Sequence, residues 1–388
     1  MKTTNIDAVF AAVQRNEPLT KQEIMSRTGL SWSTVSVAVT QLLESGLLCE
    51  TDSEEVSNTG RPPKVYDING DDFFVVGCDI AVEGILAVVT DFKARRKYAE
   101  FASLSGNSRT HIFEKLFSLL DSVLSSPALK GKTVAGIGVA MMGVVDVENG
   151  VSRHCDLLSD WENVDLRSAL SGRYGLPVLL EHDPNCMALR EGFFTGSNYE
   201  NMLYLRMGYG VGLSVIINNR IYRGSTGGAV EIGAVTYNHT IDGEIEPLTI
   251  EKIASAYGVV TRYRAENSDE RFSRATDGDS IFAMLKILGN DARSGDEAAL
   301  RYFREAGVCL GMSAVNLMRL FNPEILFLGG EFMEYRDLFM DDFYDHVDGR
   351  IFPSQPEIRV ADSDPETAAT GAAVLFLESG CQSQYYKG

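Results

Sequence analysis

Apolar runs of strand length alternate with helical stretches from residue 73 onward, and glycines follow several of these runs. The strand-like runs occupy residues 73–80, 84–91, 134–140, 178–181, 201–207, 213–217 and 324–328. Helices are predicted over 108–125, from Pro184 onward and over 297–321. Such alternation is typical of α/β layers, which bind ligands at the carboxyl ends of their strands. The large C-terminal part is therefore predicted to be an α/β ligand-binding body.

Length and apolar content limit the kind of protein this can be. With 388 residues, of which 45% are hydrophobic, the chain can form two or three domains with buried cores. No apolar run is long enough to cross a membrane and no signal-peptide core follows Met1, so we expect a cytoplasmic protein with no membrane partner. The six cysteines form no C-x-x-C pair, which favours buried free thiols over disulfides or a zinc site.

The first 70 residues show a different pattern, in which three helical stretches follow one another closely. Residues 4–16 have apolar side chains at the spacing of a helix with one buried face. Thr20-Lys-Gln-Glu23 is a capping box that begins a short second helix, which ends at Gly29. A third helix begins at Ser31 and closes at Gly46. A short helix, a glycine turn and a longer helix are typical of a helix-turn-helix.

Two short strands, at residues 47–49 and 65–68, are predicted to flank a polar loop and to form a wing. The loop ends in Gly60-Arg-Pro-Pro-Lys64, whose two prolines hold a basic tip extended beside a phosphate backbone or in a minor groove. The third helix carries hydroxyl side chains on its first turns, where they can meet phosphates or base edges. The predicted DNA-contacting residues are Lys21, Arg27, Ser31, Trp32, Ser33, Thr34, Ser36, Arg61 and Lys64.

The net charge argues against indiscriminate binding to nucleic acid. The chain has 35 Lys and Arg against 54 Asp and Glu, a formal charge of −19, and residues 1–70 alone have six basic and nine acidic side chains. DNA binding must therefore depend on a local cluster, namely Lys21, Arg27, Arg61 and Lys64. Small winged helices also serve as protein-interaction modules, which is the alternative interpretation of this domain.

A series of motifs along the chain resembles one known family. The motifs are Gly60-Arg-Pro-Pro-Lys64, Gly136-Ile-Gly-Val-Ala140, Trp161, Leu176-Pro-Val178, His182-Asp-Pro-Asn185, Gly208–Gly212, Arg223-Gly-Ser-Thr-Gly-Gly228, Glu231-Ile-Gly233, Glu251-Lys-Ile-Ala-Ser255 and Phe321-Asn-Pro-Glu-Ile325. Each glycine-rich turn is a weak signal alone, but their order and spacing are similar to those of the ROK family (repressors, open reading frames, kinases). The resemblance covers nearly the whole chain.

The resemblance implies an α/β actin-like (ribonuclease H-like) two-lobed body of the sugar-kinase type behind a mostly α winged helix-turn-helix. The expected domains are the winged helix-turn-helix at residues 1–70, a first lobe at 71–183 with 365–388, and a second lobe at 184–364.

A sugar kinase needs a base for the sugar hydroxyl and glycine loops for the phosphates. By resemblance, Asp183 stands at the position of the family's catalytic base. The first phosphate loop, approximately Asp-Ile-Gly-Gly-Thr-Lys in the family, is Asp79-Ile-Ala-Val-Glu-Gly84 here, so both glycines are lost and Glu83 adds a carboxylate. Tyr209 replaces the Thr of the second loop, and Glu331 replaces a glycine after the last core strand. We therefore expect a non-enzymatic protein in which Asp183 is a vestigial base.

The family's metal site is also missing from the sequence. Ala234 stands where the family commonly has a His after Glu-x-Gly, and residues 242–248 contain no cysteine in place of its CxCGxxGC run. Without thiolates or imidazole no structural zinc can form there, so we expect neither a metal nor another cofactor.

The sugar-binding residues that the resemblance implies are His182, Asp183, Asn185, Glu231 and Glu251. Carboxylates suit this role because each can accept hydrogen bonds from two sugar hydroxyls. His182 stands where the kinases have Asn, and Leu157 replaces another usual Asn, which allows a sugar other than glucose. The alternative is an empty, degenerate pocket in which these carboxylates have only a structural role.

Taken together, these features predict a transcriptional regulator, and more specifically a repressor of carbohydrate-metabolism genes, controlled by a sugar or sugar phosphate. A homodimer or homotetramer would place one recognition helix on each half of a palindromic operator. An effector bound between the lobes would close them and change the spacing of these helices. Two alternatives stay open: an active ATP-dependent sugar kinase with an accessory N-terminal domain, and a protein whose two halves are both interaction modules.

Overall fold

The computed structural model describes residues 5–52, 63–195, 199–225, 227–241, 244–273, 281–350, 355–362, 364–380 and 385. The chain forms two compact units. Unit 1 comprises Met1–Asn198 with Glu366–Gly388, and unit 2 comprises Tyr199–Pro365. None of the described helices combines the length and the apolar character that a membrane crossing requires.

The N-terminal part of unit 1 is a three-helix domain with a small sheet. Its helices are α1 (Asn5–Gln14), α2 (Lys21–Thr28) and α3 (Trp32–Glu44). Its strands are β1 (Leu19–Thr20), β2 (Leu48–Asp52) and β3 (Lys64–Ile68), in the order β1-β3-β2. The antiparallel pair β2–β3 is the predicted wing. Its tip, with the predicted DNA-contacting residue Arg61, lies outside the described residues.

Capping side chains determine where α2 and α3 begin. The Thr20 hydroxyl accepts from the backbone N–H of Glu23 at 3.2 Å, and Glu23 Oε2 accepts from the Thr20 N–H at 2.7 Å. The hydrogen bond from the Thr20 backbone lowers the pKa of Glu23. Ser31 caps α3 by accepting from the Thr34 N–H at 3.3 Å. The predicted capping box and helix-turn-helix are thus confirmed.

The rest of unit 1 is a lobe around a five-stranded sheet. Its strands are β4 (Phe73–Ile80), β5 (Gly84–Asp91), β6 (Arg96–Ser103), β7 (Thr133–Met141), β8 (Val144–Asp146), β9 (Val151–His154), β10 (Glu162–Asp165) and β11 (Val178–His182). Its helices are α4 (Arg109–Leu124), a 3₁₀ helix at Pro127–Leu129, α5 (Leu166–Tyr174) and α6 (Asp183–Phe194). The main sheet has the order β11-β7-β4-β5-β6, and a side sheet has the order β10-β9-β8.

Unit 2 contains a second five-stranded sheet and most of the long helices. Its strands are β12 (Met202–Met207), β13 (Val211–Ile217), β14 (Arg220–Ile221), β15 (Thr236–Ile241), β16 (Glu244–Thr249), β17 (Ile325–Gly329) and β18 (Glu357–Val360). Its helices are α7 (Ile250–Ala254), α8 (Ala256–Glu266), α9 (Glu270–Ser273), α10 (Ile281–Arg293), α11 (Glu297–Phe321) and α12 (Met340–Val347), with 3₁₀ helices at Ile232–Ala234 and Glu331–Leu338. The last helix, α13 (Thr367–Glu378), belongs to unit 1.

The two main sheets have the same topology. In unit 1 an antiparallel meander, β4-β5-β6, is extended by the parallel strands β7 and β11. In unit 2 the meander β12-β13-β14 is extended by the parallel strands β17 and β18. This repeat of one sheet in two lobes is what the resemblance to actin-like folds implied.

Helix α13 packs against unit 1 with almost no space between backbones. A Cβ atom on Gly138 of β7 would lie 1.8 Å from the carbonyl oxygen of Ala372, and one on Gly371 of α13 would lie 1.9 Å from that of Cys186 in α6. Because α6 is packed in this way, it belongs to unit 1. The two compact units divide after residue 198, and the resemblance implies a first lobe that ends at 183; we propose the later boundary for the first lobe.

The winged helix shares a hydrophobic core with the first lobe. The Phe10 ring of α1 meets the Phe92 ring edge-on, with centroids 6.2 Å apart. The buried Gln14 amide donates to the Phe92 carbonyl at 2.7 Å, and Arg15 forms an ion pair with Glu378, at the end of α13, at 2.7 Å. The winged helix is thus fixed to the lobe by both apolar and polar contacts.

Substituting Gly138 by Ala should lower the free energy of unfolding by about 3 kcal/mol, because the added methyl group collides with backbone and neither sheet nor helix can move alone. The matched control is Gly172→Ala on the exposed side of α5, where a Cβ meets nothing within 4 Å. That substitution should raise stability by up to ~1 kcal/mol, because alanine favours helix. Urea unfolding of both variants checks this, and equal stabilities would contradict the packing argument.

Candidate DNA-binding face and sugar-binding residues

Helix α3 has one buried side and one side open to solvent. Its buried stripe consists of Val35, Ala38, Val39 and Leu42. On the other side, Trp32 is 56% exposed and Val37 is 60% exposed. Ser33 and Thr40 are also exposed, and Ser36 is half-buried beside them. This solvent side, hereafter the recognition face, consists of Ser33, Ser36, Val37 and Thr40, with Trp32 at the start of the helix.

The hydroxyl groups predicted to contact DNA divide into two sets. Ser31 Oγ lies 2.8 Å from Thr34 Oγ1 and also caps the helix, so these two side chains are engaged in forming its first turn. Ser33 and Ser36 lie on the recognition face. Sequence reasoning missed Val37 and Thr40. They follow Ser33 by four and seven residues, the spacing that places side chains on one side of a helix.

The cations of the winged helix differ in how freely they can meet phosphate. The Lys21 ammonium lies 5.9 Å from the centre of the Trp32 ring and 5.6 Å from that of Tyr66, so cation–π attraction holds it beside the start of α3. Lys64 is ion-paired with Glu50, and this hydrogen bond lowers the pKa of Glu50.

Arg27 is exposed in the last turn of α2. Of the four predicted cations, Lys21 and Arg27 thus lie on α2, and Lys64 is paired with a carboxylate. Arg61 lies outside the described residues.

Three of the predicted sugar-binding residues lie where β11 ends and α6 begins, at the carboxyl end of a parallel strand. His182 Nε2 lies 3.3 Å from Asp183 Oδ1, and the Asp183 side chain is nearly buried. Asn185 is also nearly buried, and its amide donates to Glu181 Oε1 at 2.9 Å. Strand β11 and helix α6 therefore bring His182, Asp183 and Asn185 together.

Glu181 is a residue of this site that sequence reasoning missed. It is fully buried at the end of β11, and its Oε1 accepts from the His182 N–H at 3.0 Å as well as from Asn185. These bonds fix the backbone of one predicted ligand and the side chain of another. The available signal was an acidic residue in an otherwise apolar strand, since a buried carboxylate requires hydrogen-bond donors.

Cys155 lies near Asp183. Burial of its thiol, with the charge of Asp183 acting in the same direction, raises the pKa of Cys155. The thiol therefore stays protonated at neutral pH. Four of the five described cysteines are buried free thiols, as predicted, but Cys49 is exposed because it lies on the wing.

The other two predicted sugar-binding residues lie in unit 2. Glu251 is exposed, and its Oε2 accepts from the Val211 N–H at 3.1 Å. The same oxygen lies 3.2 Å from where a Cβ on Gly233 would be, which places it beside the Glu231-Ile-Gly233 segment. Glu231 is exposed and follows Val230, which has a φ of 62°. A β-branched residue is strained in this left-handed region, and such strain concentrates at functional sites.

The turn that corresponds to the second phosphate loop, Gly208–Gly210 between β12 and β13, is covered by side chains. Glu331 Oε2 lies 2.2 Å from where a Cβ on Gly208 would be, so its carboxylate fills the space beside this glycine. Arg206 donates to both Glu331 oxygens, at 3.1 and 3.3 Å. The Tyr209 ring stacks on Tyr257 with centroids 5.5 Å apart, and burial raises the pKa of Tyr209.

The first phosphate loop is a tight hairpin turn between β4 and β5. The Ala81 N–H donates to the Gly84 carbonyl at 3.0 Å, which closes the turn. Val82 is half-buried and Glu83 is exposed, so a carboxylate stands at the turn. Within the described ranges, no three His, Cys, Asp or Glu side chains gather as a metal ion would require.

The ROK family profile matches residues 75–379, which is more than half of the chain. The chain belongs to the ROK family. A profile of winged helix-turn-helix DNA-binding domains matches residues 8–48 of this ROK protein. Both assignments confirm the resemblance that the sequence motifs indicated.

Known proteins with similar sequence or structure include regulators and kinases. Over 364 residues this ROK protein is 25% identical to the xylose repressor of Caldicellulosiruptor bescii. The alignment covers 92% of this chain and 90% of that repressor. A ROK family transcriptional regulator homologous to the E. coli MLC protein has a TM-score of 0.78 at 17% identity and covers 99% of both chains. A ROK family glucokinase from Streptomyces griseus, in complex with glucose and AMPPNP, has a TM-score of 0.63 at 24% identity, over 78% of this chain and 98% of that one.

Replacing Lys21 by Ala should weaken binding to duplex DNA to a similar degree on all sequences and reduce the slope of log K against log salt by about one, as expected for one lost phosphate contact. The control is Lys130→Ala, which removes an exposed charge from the first lobe of this ROK protein. Anisotropy titrations over a range of salt concentrations measure both quantities. An unchanged slope for Lys21→Ala would show that this lysine does not contact phosphate.

Proposed function

We propose that this ROK protein is a sugar-responsive transcriptional repressor of carbohydrate-metabolism genes, in which the winged helix binds operator DNA and the ROK body binds the effector. The observation that carries the proposal is that unit 1 contains both the winged helix and three of the predicted sugar-binding residues. There a recognition face of exposed hydroxyl and apolar side chains belongs to the same compact unit as the His182-Asp183 pair at the end of β11.

The DNA-binding part of the proposal is supported by the chemistry of α2 and α3. The recognition face has no acidic side chain between Trp32 and Thr40 that would repel a duplex. Lys21 is held at the start of α3, and the basic end of the wing loop adds Arg61 and Lys64. A second copy of the chain would supply the other recognition helix for a palindromic operator. Homodimers or homotetramers are therefore the assemblies we propose.

The sugar-binding part is supported by the arrangement of polar groups in each unit. In unit 1, Glu181 fixes the residues on both sides of Asp183, which leaves a nearly buried carboxylate oriented by its surroundings. In unit 2, Glu231 follows Val230, whose φ of 62° is strained for a β-branched residue. We propose that His182, Asp183, Asn185, Glu231 and Glu251 contact the hydroxyl groups of a sugar or sugar phosphate. The repressor name of the C. bescii relative makes D-xylose the first candidate.

Loss of kinase activity is supported by the side chains beside the phosphate loops. A nucleotide would have to displace the Glu331 carboxylate from Gly208 and break its ion pair with Arg206. Its phosphates would then lie close to a carboxylate, which is unfavourable because like charges repel. We therefore propose that the ROK body acts as a sensor.

Binding of the correct effector should raise the stability of the protein by about 2.7 kcal/mol at a hundredfold excess over Kd, because only the folded state binds it. A thermal-shift screen of D-xylose, D-glucose and their phosphates measures this. Asp183→Asn and Glu251→Gln should each remove the shift, because each takes away a charged acceptor. Asp72→Asn, which changes an exposed carboxylate paired with Lys132, should keep it. If no sugar or sugar phosphate shifted the transition, the sensor role would be refuted.

The protein should transfer no phosphate from ATP to a sugar. In a coupled assay for ADP with the same sugars, we expect a rate equal to that without protein, because the carboxylate of Glu331 occupies the loop that would bind phosphate. Sustained turnover that Asp183→Asn abolished would favour the alternative, an active sugar kinase.

A further inference from the structure

Val37 is an apolar side chain at the centre of the recognition face. It lies on the solvent side of α3, opposite the buried stripe, and is 60% exposed. Ser33 precedes it by four residues and Thr40 follows it by three, so hydroxyl-bearing side chains lie on both sides of it along the helix. An exposed β-branched aliphatic side chain gains no free energy of burial, and valine has a lower helix propensity than alanine or leucine.

The other side chains of this face discriminate poorly between bases. Between Trp32 and Thr40 the helix has no Arg or Lys for guanine and no Asn or Gln for adenine. Hydroxyl groups accept and donate, so Ser33 and Ser36 fit either purine. The Thr40 hydroxyl donates to the Ser36 carbonyl at 2.9 Å, which engages it with its own helix. The first amide on the helix is the exposed Gln41, in its last turn; on the turns before it, the remaining source of sequence discrimination is apolar contact.

Only one base presents an apolar group to the major groove, and it is thymine, through its 5-methyl group. We infer that Val37 is a specificity-determining residue that reads thymine by contact between its methyl groups and the 5-methyl group of the base. This inference rests on the proposed DNA-binding function and adds the chemical feature that the helix selects. Sequence selectivity needs such a contact, because phosphate attraction alone does not distinguish one sequence from another.

The test compares thymidine (dT) with deoxyuridine (dU), which forms the same base pair and lacks only the 5-methyl group. Duplexes are first selected from a random-sequence library with the full-length protein, and each dT in a selected duplex is then replaced singly by dU. At one or two positions in each half-site we expect affinity to fall about fourfold, the fold-change that corresponds to ~0.8 kcal/mol for one buried methyl group.

Val37→Ala should lower the fourfold preference for dT over dU at those positions, because the two γ-methyl groups that contact the 5-methyl group are gone. The residue is exposed, so the variant should fold normally, which its thermal transition verifies. Lys21→Ala is the matched control on the same domain: it should weaken both duplexes and keep the fourfold ratio between them, since a phosphate contact ignores the base.

The outcomes separate this inference from the function on which it rests. If the library yields no bound duplex, DNA binding itself is refuted and the inference falls with it. If duplexes are selected but dU has no effect at any position, or if Val37→Ala keeps the full dT preference, the inference is overturned while DNA binding stands.

Discussion

The close packing of α13 in unit 1 is the contact on which the rest of this arrangement depends. Its backbone approaches β7 at Gly138 and α6 at Cys186 so closely that a single methyl group would collide. The far end of α13 carries Glu378, the ion-pair partner of Arg15 in the winged helix. Because backbones in such contact cannot slide separately, α6, α13 and the sheet behave as one body.

That body links the proposed effector residues to the DNA-binding domain. Asp183 is the first residue of α6, so any ligand that shifts its carboxylate acts on a helix packed against α13. The winged helix rests on the same body through Phe10 and Gln14. A sugar can then bias the DNA-binding domain only by preferring one arrangement of this body over another. The sugar affects DNA binding only if its affinities for the two arrangements differ, however far apart the two sites lie.

The sequence specified local structure well and long-range contacts poorly. The capping box at Thr20 and the buried strand β4 were predictable because each depends on neighbours along the chain. The strand β6 was missed because its polar, half-exposed residues show no clear apolar run. The pairing of Arg206 with Glu331 was also not predictable, since 125 residues separate them and only the parallel pairing of β12 with β17 brings them together.

This ion pair also shows how the charge of the Arg206 guanidinium is balanced in unit 2. Arg206 lies at the end of β12 with its side chain largely buried, and a buried guanidinium is costly unless an anion accompanies it. In this chain Glu331 supplies that anion and fills the space beside Gly208 at the same time. The replacement of a family glycine by Glu331 is therefore more than the loss of a phosphate contact. It puts a permanent carboxylate beside Gly208, at the turn that corresponds to a phosphate loop, which suits the sensor role proposed for this body.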